Sequence, residues 1–445
     1  MKNLLTIIFI LLLFISCNNT SKKEIIKPNI VLIMADDLGY GGVSGYGNTE
    51  INTPNIDYLI SQGVKFTDFH SNGSVCSPTR AALMTGKYQQ RTGVEGVVTA
   101  KSHRHVGLDL EEITIAEELK KHNYNCGMYG KWHLGYSKEF NPTLQGFDDF
   151  VGFVSGNVDY HAHIDQEGYL DWWKGDKIDN EKGYTTDLIS NYGVNYIKDN
   201  NRKKTNKPFF LYLPHEAPHG PYQRRIDNTL RTVGTAGSAF VSKDSIAGIY
   251  KEMVEVMDEG IGDIVDVLKE TGEYENTIII FISDNGANSY GDNGGLRGFK
   301  GGPYEGGSRV PAVISYPNVI KAGMISDQVV LSMDLLPTLL DFIDQKPSGN
   351  NIDGLSIKNL LLNQSELKDR DLFYSFNGRS FIRSGKWKMV KVKNKDGEKL
   401  ELYNLDTDLA EKNDLSTKNS EVLTELKKKL SKWEGEVRKD VKKVS

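Results

Sequence analysis

Three groups of residues in this chain have the types and spacing needed to handle a tetrahedral oxyanion. The first is the stretch "VCSPTRAALMTG", Val75 to Gly86, which places Cys76 four residues before Arg80. Cys76 has four readings: a buried small hydrophobe, a thiol nucleophile, a metal ligand, or the precursor of another group. The second group is two polar pairs, Asp36-Asp37 and Asp284-Asn285, each directly after an apolar run. Singly, each pair reads as ordinary turn chemistry. Together, three carboxylates and an amide at two strand ends repel unless a cation lies between them. An all-oxygen donor set of this kind implies calcium or magnesium, not zinc. The third group is cationic and imidazole: Lys131 and His133 in "YGKWHLG", His215 and His219 in "HEAPHGP", and Arg297, Lys300 and Arg309 in "GGLRGFKGGPYEGGSRVP". Glycines in that last loop either make turns or let backbone and cations approach an anion closely. Arg80 is expected in the first turn of a helix following Cys76, where backbone N–H groups favour anions. Lys131 and His133, two apart on an extended segment, are expected to point the same way.

These residues must be held by strands and helices that the pattern also announces. "PNIVLIMADD" and "NTIIIFISDNGA" are continuous apolar runs that stop at the two polar pairs. "KPFFLYLPHEAPHGP" is a strand from Phe209 to Leu213 ending in a Pro- and His-rich loop, and "NCGMYGKWHLG" is a strand and loop. "TPNIDYLISQG" reads as a helix starting at Thr53-Pro54 and stopping at Gly63. "ITIAEELKKHNY", "IAGIYKEMVEVMDEGIGDIVDVLKETG" and "SMDLLPTLLDFI" are further helices, the last after a strand from Ala312 to Tyr316. Strands alternating with helices, with strands apolar along their whole length, predict an α/β fold: a large, mostly parallel sheet flanked by helices on both faces. In such sheets function lies beyond the carboxyl ends of the strands. After about Lys346 the texture changes. "RSFIRSGKWKMVKV" and "KLELYNL" look like antiparallel strands, and "SEVLTELKKKLSKWEGEV" is an amphipathic helix with Leu423, Leu426, Leu430 and Trp433 on one face. A smaller C-terminal α+β domain, an antiparallel sheet plus a helix, is expected over 351–445, after a catalytic domain over 28–350.

The chain has 445 residues, 38% hydrophobic and 25% charged, with a formal net charge of -5. That composition suits a globular protein and offers no global basic field for nucleic acid. Residues 1–17 read as a lipoprotein-type signal peptide: Lys2, the apolar run Leu4 to Ile15, then Ser16-Cys17. The run is too short to span a bilayer. Cys17 is the expected lipidated residue, residues 18–27 the tether, and the periplasm or outer-membrane surface the expected location. Membrane contact is expected only through that lipid anchor. Cys17, Cys76 and Cys126 are the only cysteines, so no disulfide framework holds this fold. Cys126 lies in an apolar strand, where buried free cysteines are common.

The match to a known family now becomes specific. "CSPTRAALMTGKY" resembles the maturation motif of the formylglycine-dependent sulfatases, and "IVLIMADDLGYGG", "GKWHLG", "APHGP", "SDNG" and "LRGFKGGPYEGGSRVP" follow in that family's order. The C-terminal "ELYNLDTDLAEKNDL" is also typical of it. The resemblance implies an alkaline-phosphatase-like fold and a sulfuric ester hydrolase. It implies that a formylglycine-generating or radical-type maturation enzyme oxidises Cys76 to Cα-formylglycine, whose hydrate is the nucleophile. The implied calcium ligands (magnesium being the other hard cation) are Asp36, Asp37, residue 76, Asp284 and Asn285. Arg80 and Lys131 are implied to hold formylglycine, Lys300 to bind sulfate, His133 to take a proton, and His219 to protonate the leaving oxygen. His219 is preferred to His215 because it stands in His-x-Pro. The choice of nucleophile has a chemical reason. A plain alcohol attacking sulfur would leave a stable ester on the enzyme, whereas the adduct of a gem-diol can expel sulfate and regenerate the aldehyde.

The stretch "GNVDYHAHIDQEGYLDWWKGD" resembles an insert of bacterial sulfatases of sulfated galactans such as carrageenans. Its His161, His163 and Trp172, together with His215, Arg297 and Phe299, are the expected sugar contacts, since Trp rings stack on sugars and His bonds hydroxyls. Phe299 stands where many relatives have a small residue and is expected to shape the pocket edge. A sulfated polysaccharide or oligosaccharide is the expected substrate. The other readings are a phosphate or phosphonate monoester hydrolase of the same superfamily and an inactive surface glycan-binding lipoprotein.

Overall fold

A computed structural model describes residues 26–237, 241–395, 397–439 and 441. The leader and Cys17 lie outside the described residues. Strand Asn29–Ala35 sits near the middle of a ten-stranded sheet. It pairs in parallel with Thr277–Ser283 on one side and with Phe209–Pro214 on the other. Beyond Phe209–Pro214 come Asn125–Lys131 and Asp149–Phe153, both parallel, then the short antiparallel strands Trp173–Lys174 and Lys177–Ile178. On the other flank Ala312–Ser315 runs antiparallel between Thr277–Ser283 and Gly63–Phe66, and Met324–Ser326 closes the edge. The central five strands are the parallel array that the sequence predicts.

The continuous apolar runs have a direct cause. Along Asn29–Ala35, Ile30, Leu32 and Met34 face one core while Val31, Ile33 and Ala35 face the other. A strand covered on both faces cannot alternate with polar residues. One face carries helices Pro54–Gln62, Thr185–Asn200 and Lys243–Thr271 through Ile56, Ile189, Met253 and their neighbours. The other carries Cys76–Thr85, Ile115–Lys121 and Leu335–Phe342 through Leu83, Leu119 and Leu339.

The C-terminal sheet has four antiparallel strands in sequence order: Asp371–Phe376, Arg379–Ser384, Trp387–Asn394 and Gly397–Asn404. Helix Ser420–Glu436 packs on it through Leu426, Leu430 and Trp433. Strand Asp371–Phe376 was not singled out in the sequence. Helix Lys358–Asn363 buries Leu360 and Leu361 in the core of the main sheet, so those residues pack with the larger unit.

Candidate active site

Register brings the two polar pairs together. Ala35 pairs with Ser283, so Asp36 and Asp284 leave adjacent strands side by side, and the Asp284 amide donates to the Ala35 carbonyl at 3.1 Å. Asp37 follows in the left-handed region at φ 64°. Its amide donates to Asp284 Oδ1 at 3.2 Å, and Asn285 Nδ2 donates to Asp37 Oδ1 at 2.7 Å. All four residues are buried.

Cys76 opens the helix Cys76–Thr85, in which every residue is buried and which ends at Gly86 in the left-handed conformation. Arg80 lies one full turn beyond Cys76 instead of in the first turn, on the same helix face. Its guanidinium donates to Asp284 Oδ2 at 3.0 Å, Asp36 Oδ2 at 3.3 Å and the Lys131 carbonyl at 2.7 Å. Lys131 ends its strand and pairs with Asp36 through its ammonium. Lys300 Nζ is 2.6 Å from Asp37 Oδ1 and 3.5 Å from Cys76 Sγ. Asp36 Oδ1 lies 3.5 Å from the same sulfur. Three carboxylates and three cations thus converge on residue 76.

Charge and burial set the protonation states. Burial works against the Asp36 carboxylate, but Lys131, His219, Arg80 and Lys300 outweigh it and hold its pKa far below the usual range. Asp284 is pushed up to about 6 by burial and by Asp36. Burial and Asp36 push the Cys76 thiol up to about 12, against the pull of the two lysines. His133 is not on an extended segment as expected: it sits at φ 58°. Its Nε2 is 2.9 Å from the Val98 carbonyl and its buried Nδ1 has no partner. Burial, then Lys131 and Arg80, hold its pKa well below the ordinary value. His219 Nδ1 is 2.5 Å from the Gly220 carbonyl and Nε2 is 3.8 Å from Asp37 Oδ2. Burial, then Lys300, lower it to about 4.

Asp36, Asp37, Cys76 and His219 each offer a ligand atom, all within 4.8 Å of one another. The Asn285 Oδ1 is buried and without a partner, while its amide nitrogen is fixed by Asp37 and the Gly286 carbonyl. A buried orphan carbonyl oxygen on a residue bonded to Asp37 fits a hard cation such as calcium.

A cavity of about 410 Å³ opens over residue 76, lined by Cys76, His133, His219 and Lys300. The expected sugar contacts fare differently. His163 and Trp172 have no exposed surface; they stack on each other at 4.3 Å inside the fold, so neither ring can meet a sugar. His215 is buried, lowered to about 3 by burial alone, and is not in the cavity wall. His161 is half-buried, bonded to the Arg224 carbonyl at 2.9 Å. Arg297 turns to the C-terminal sheet, donating to Tyr403 Oη at 2.7 Å and the Glu411 carbonyl at 2.8 Å. Arg309 is likewise drawn away, to Glu305 at 3.2 Å and Asp68 at 3.4 Å. Phe299 is exposed beside Lys300 but outside the wall. The wall is instead completed by residues the sequence did not single out: Val97 to Ser102, Tyr136, Ser155 to Asn157, Gln166 and Glu167. Gly156, Asn157, Gln166 and Glu167 lie within the stretch read from the sequence as a sugar-contact insert, whereas Val97 to Ser102 carry no chemical signal of their own.

Comparison with known proteins fits this geometry. The family model "Sulfatase" matches residues 28–344, and "N-sulphoglucosamine sulphohydrolase, C-terminal" matches residues 300–436. N-acetylgalactosamine-6-sulfatase of Mus musculus is 33% identical over 374 residues, covering 78% of this chain and 68% of the relative. Arylsulfatase A of Homo sapiens is 32% identical over 401 residues, covering 81% and 74%. A solved structure, Ps i-CgsB in complex with k-i-k-neocarrahexaose, superposes with a TM-score of 0.82 at 31% identity, covering 94% of each chain. This chain belongs to the sulfatase family, and is a sulfuric ester hydrolase of the alkaline-phosphatase-like fold.

Proposed function

We propose that this sulfatase removes sulfate from a sulfated polysaccharide or oligosaccharide of the galactan or carrageenan type. Residue 76 acts in its Cα-formylglycine form beside a calcium ion. The observation that carries this reading is the convergence of Cys76 with three carboxylates, Asn285 and three cations at one end of the sheet. The solved relative bound to a neocarrahexaose supports a galactan. An exported protein, lipid-anchored at Cys17 and matured by a separate enzyme, suits such a polymer.

When present, the aldehyde hydrate at residue 76 supplies an oxygen nucleophile and calcium supplies positive charge for sulfate oxygens. Asp36, Asp37, Asp284 and Asn285 hold the ion, with magnesium the other hard cation that suits them. Arg80 and Lys131 lock the carboxylates around residue 76. Lys300, partly open to the cavity, receives the sulfate. The two histidines take opposite tautomers. A carbonyl only accepts, so His133 carries its hydrogen on Nε2, toward Val98, and presents a bare Nδ1 able to take a proton. His219 carries its hydrogen on Nδ1, toward Gly220, leaving Nε2 bare at neutral pH. The negative charge of an arriving sulfate raises the His219 pKa, so the ring gains a proton on Nε2 and passes it to the leaving oxygen.

The test is sulfate release from defined sulfated galacto-oligosaccharides by matured protein, with the matching phosphate esters alongside. Sulfate turnover that Cys76→Ala abolishes is expected. Faster turnover of the phosphate esters would overturn the proposal.

A further inference from the structure

Among the described residues, most cations in and around the cavity pair directly with carboxylates; Lys101, and Arg231 behind the wall, form no direct ion pair. Arg80, Lys131 and Lys300 meet Asp36, Asp284 and Asp37, and Arg104, behind the wall, meets Asp165 at 3.1 Å. Lys101 lines the cavity mouth, is exposed, and has no acceptor among the described residues. Its segment is fixed: Val98 accepts from His133 through its carbonyl and donates through its amide to Ser77 Oγ at 3.1 Å. The Thr99 and His103 side chains close the turn around Lys101 at 2.9 Å.

Arg231 is 7% exposed; its guanidinium makes no direct ion pair among the described residues, although Glu216, Asp159 and Asp165 act on it at longer range. Its guanidinium donates to Asn157 Oδ1 at 2.5 Å and to the Ile164 carbonyl at 3.0 Å. A guanidinium only donates, so this contact fixes the Asn157 amide with oxygen inward and nitrogen outward. Asn157 lines the cavity, and its Nδ2 has no partner among the described residues. The wall therefore presents two N–H donors oriented by a buried guanidinium, whose charge Glu216, Asp159 and Asp165 partly offset, and in the same wall an exposed ammonium. Glu167, also in the wall, is suited to sugar hydroxyls.

We infer that Asn157, set by Arg231, and Lys101 form a subsite for a second sulfate group on the saccharide, next to the one removed. This rests on the sulfatase reading and names its substrate as polysulfated. Charge-assisted hydrogen bonds of this kind discriminate by roughly tenfold or more.

The experiment is calorimetric titration of the Cys76→Ser protein in calcium buffer with two disaccharides of one backbone, bearing one or two sulfates. About tenfold tighter binding of the disulfated sugar is expected, with the ratio shrinking as salt rises. Lys101→Ala, and Asn157→Asp, which keeps the Arg231 contact but removes both donors, should each cut the ratio by about threefold or more. Equal affinities in the parent, or variants that weaken both sugars alike, would overturn the subsite. Failure of the sulfatase reading looks different: matured protein that binds these sugars and releases no sulfate.

Discussion

At the scale of single residues, the proposed division of proton work between His133 and His219 rests on backbone partners that fix opposite tautomers. Replacing His219 by Asn should lower kcat on a sugar sulfate by about 10²–10⁴-fold, the usual share of a general acid. On 4-nitrophenyl sulfate, whose leaving oxygen needs no proton, the loss should be far smaller. Parallel kinetics on the two esters check this, and equal losses would remove His219 from the acid role. Cys76 shows why an unmodified thiol suits this site poorly. With its pKa pushed up to about 12 by burial and by Asp36, the thiol stays protonated at neutral pH. Cys76→Ala should abolish sulfate release while the circular dichroism spectrum stays as in the parent. Most of this machinery was legible as residue types after strand ends. The sugar contacts were not. His163 and Trp172 have the chemistry of a carbohydrate site, but that chemistry is equally served by stacking on each other and by the Trp172 Nε1 bond to Glu181 at 2.9 Å.

At the scale of elements, strand ends aim the chemistry, and their aim depends on close backbone approach. Gly130, at φ 125°, directly precedes Lys131, and a Cβ there would lie 2.1 Å from the Pro214 carbonyl oxygen. Gly130→Ala must therefore push apart two central strands and displace Lys131 from Asp36. Lost sulfate release and a lower melting temperature are expected together. The C-terminal sheet is fastened by aromatic stacking: Trp433 lies 5.0 Å from Phe373 at 6° and 5.1 Å from Tyr88 of the larger unit. Trp433→Ala should cost about 3–5 kcal/mol, read by denaturant unfolding. The continuous apolar runs made the central strands legible, because double-sided burial leaves no polar alternation. Strand Asp371–Phe376 was hidden for the opposite reason: its sequence, DLFYSF, is short and only partly buried. Leu360 and Leu361 lie in a short helix whose sequence carries no long-range signal of which core it joins.

At the scale of the whole molecule, the fold brings opposing charges from three strands, one helix and one loop to a single point. Arg80, Lys131 and Lys300 balance Asp36, Asp37 and Asp284, and a divalent ion bound at Asn285 would complete the set. Chelation with EGTA should therefore abolish sulfate release and lower the melting temperature, and calcium should restore both by binding the folded state alone. No helix among the described residues is long and apolar enough to cross a membrane. The proposed chemistry requires residue 76 to work as an oxidised side chain on a sulfate ester. The most direct measurement takes preparations matured to different extents and compares sulfate release with the mass of the peptide holding residue 76. Release should rise in proportion to the fraction about 18 Da lighter than the thiol, the difference between cysteine and the aldehyde. Full-rate sulfate release by protein whose Cys76 is entirely thiol would contradict the account.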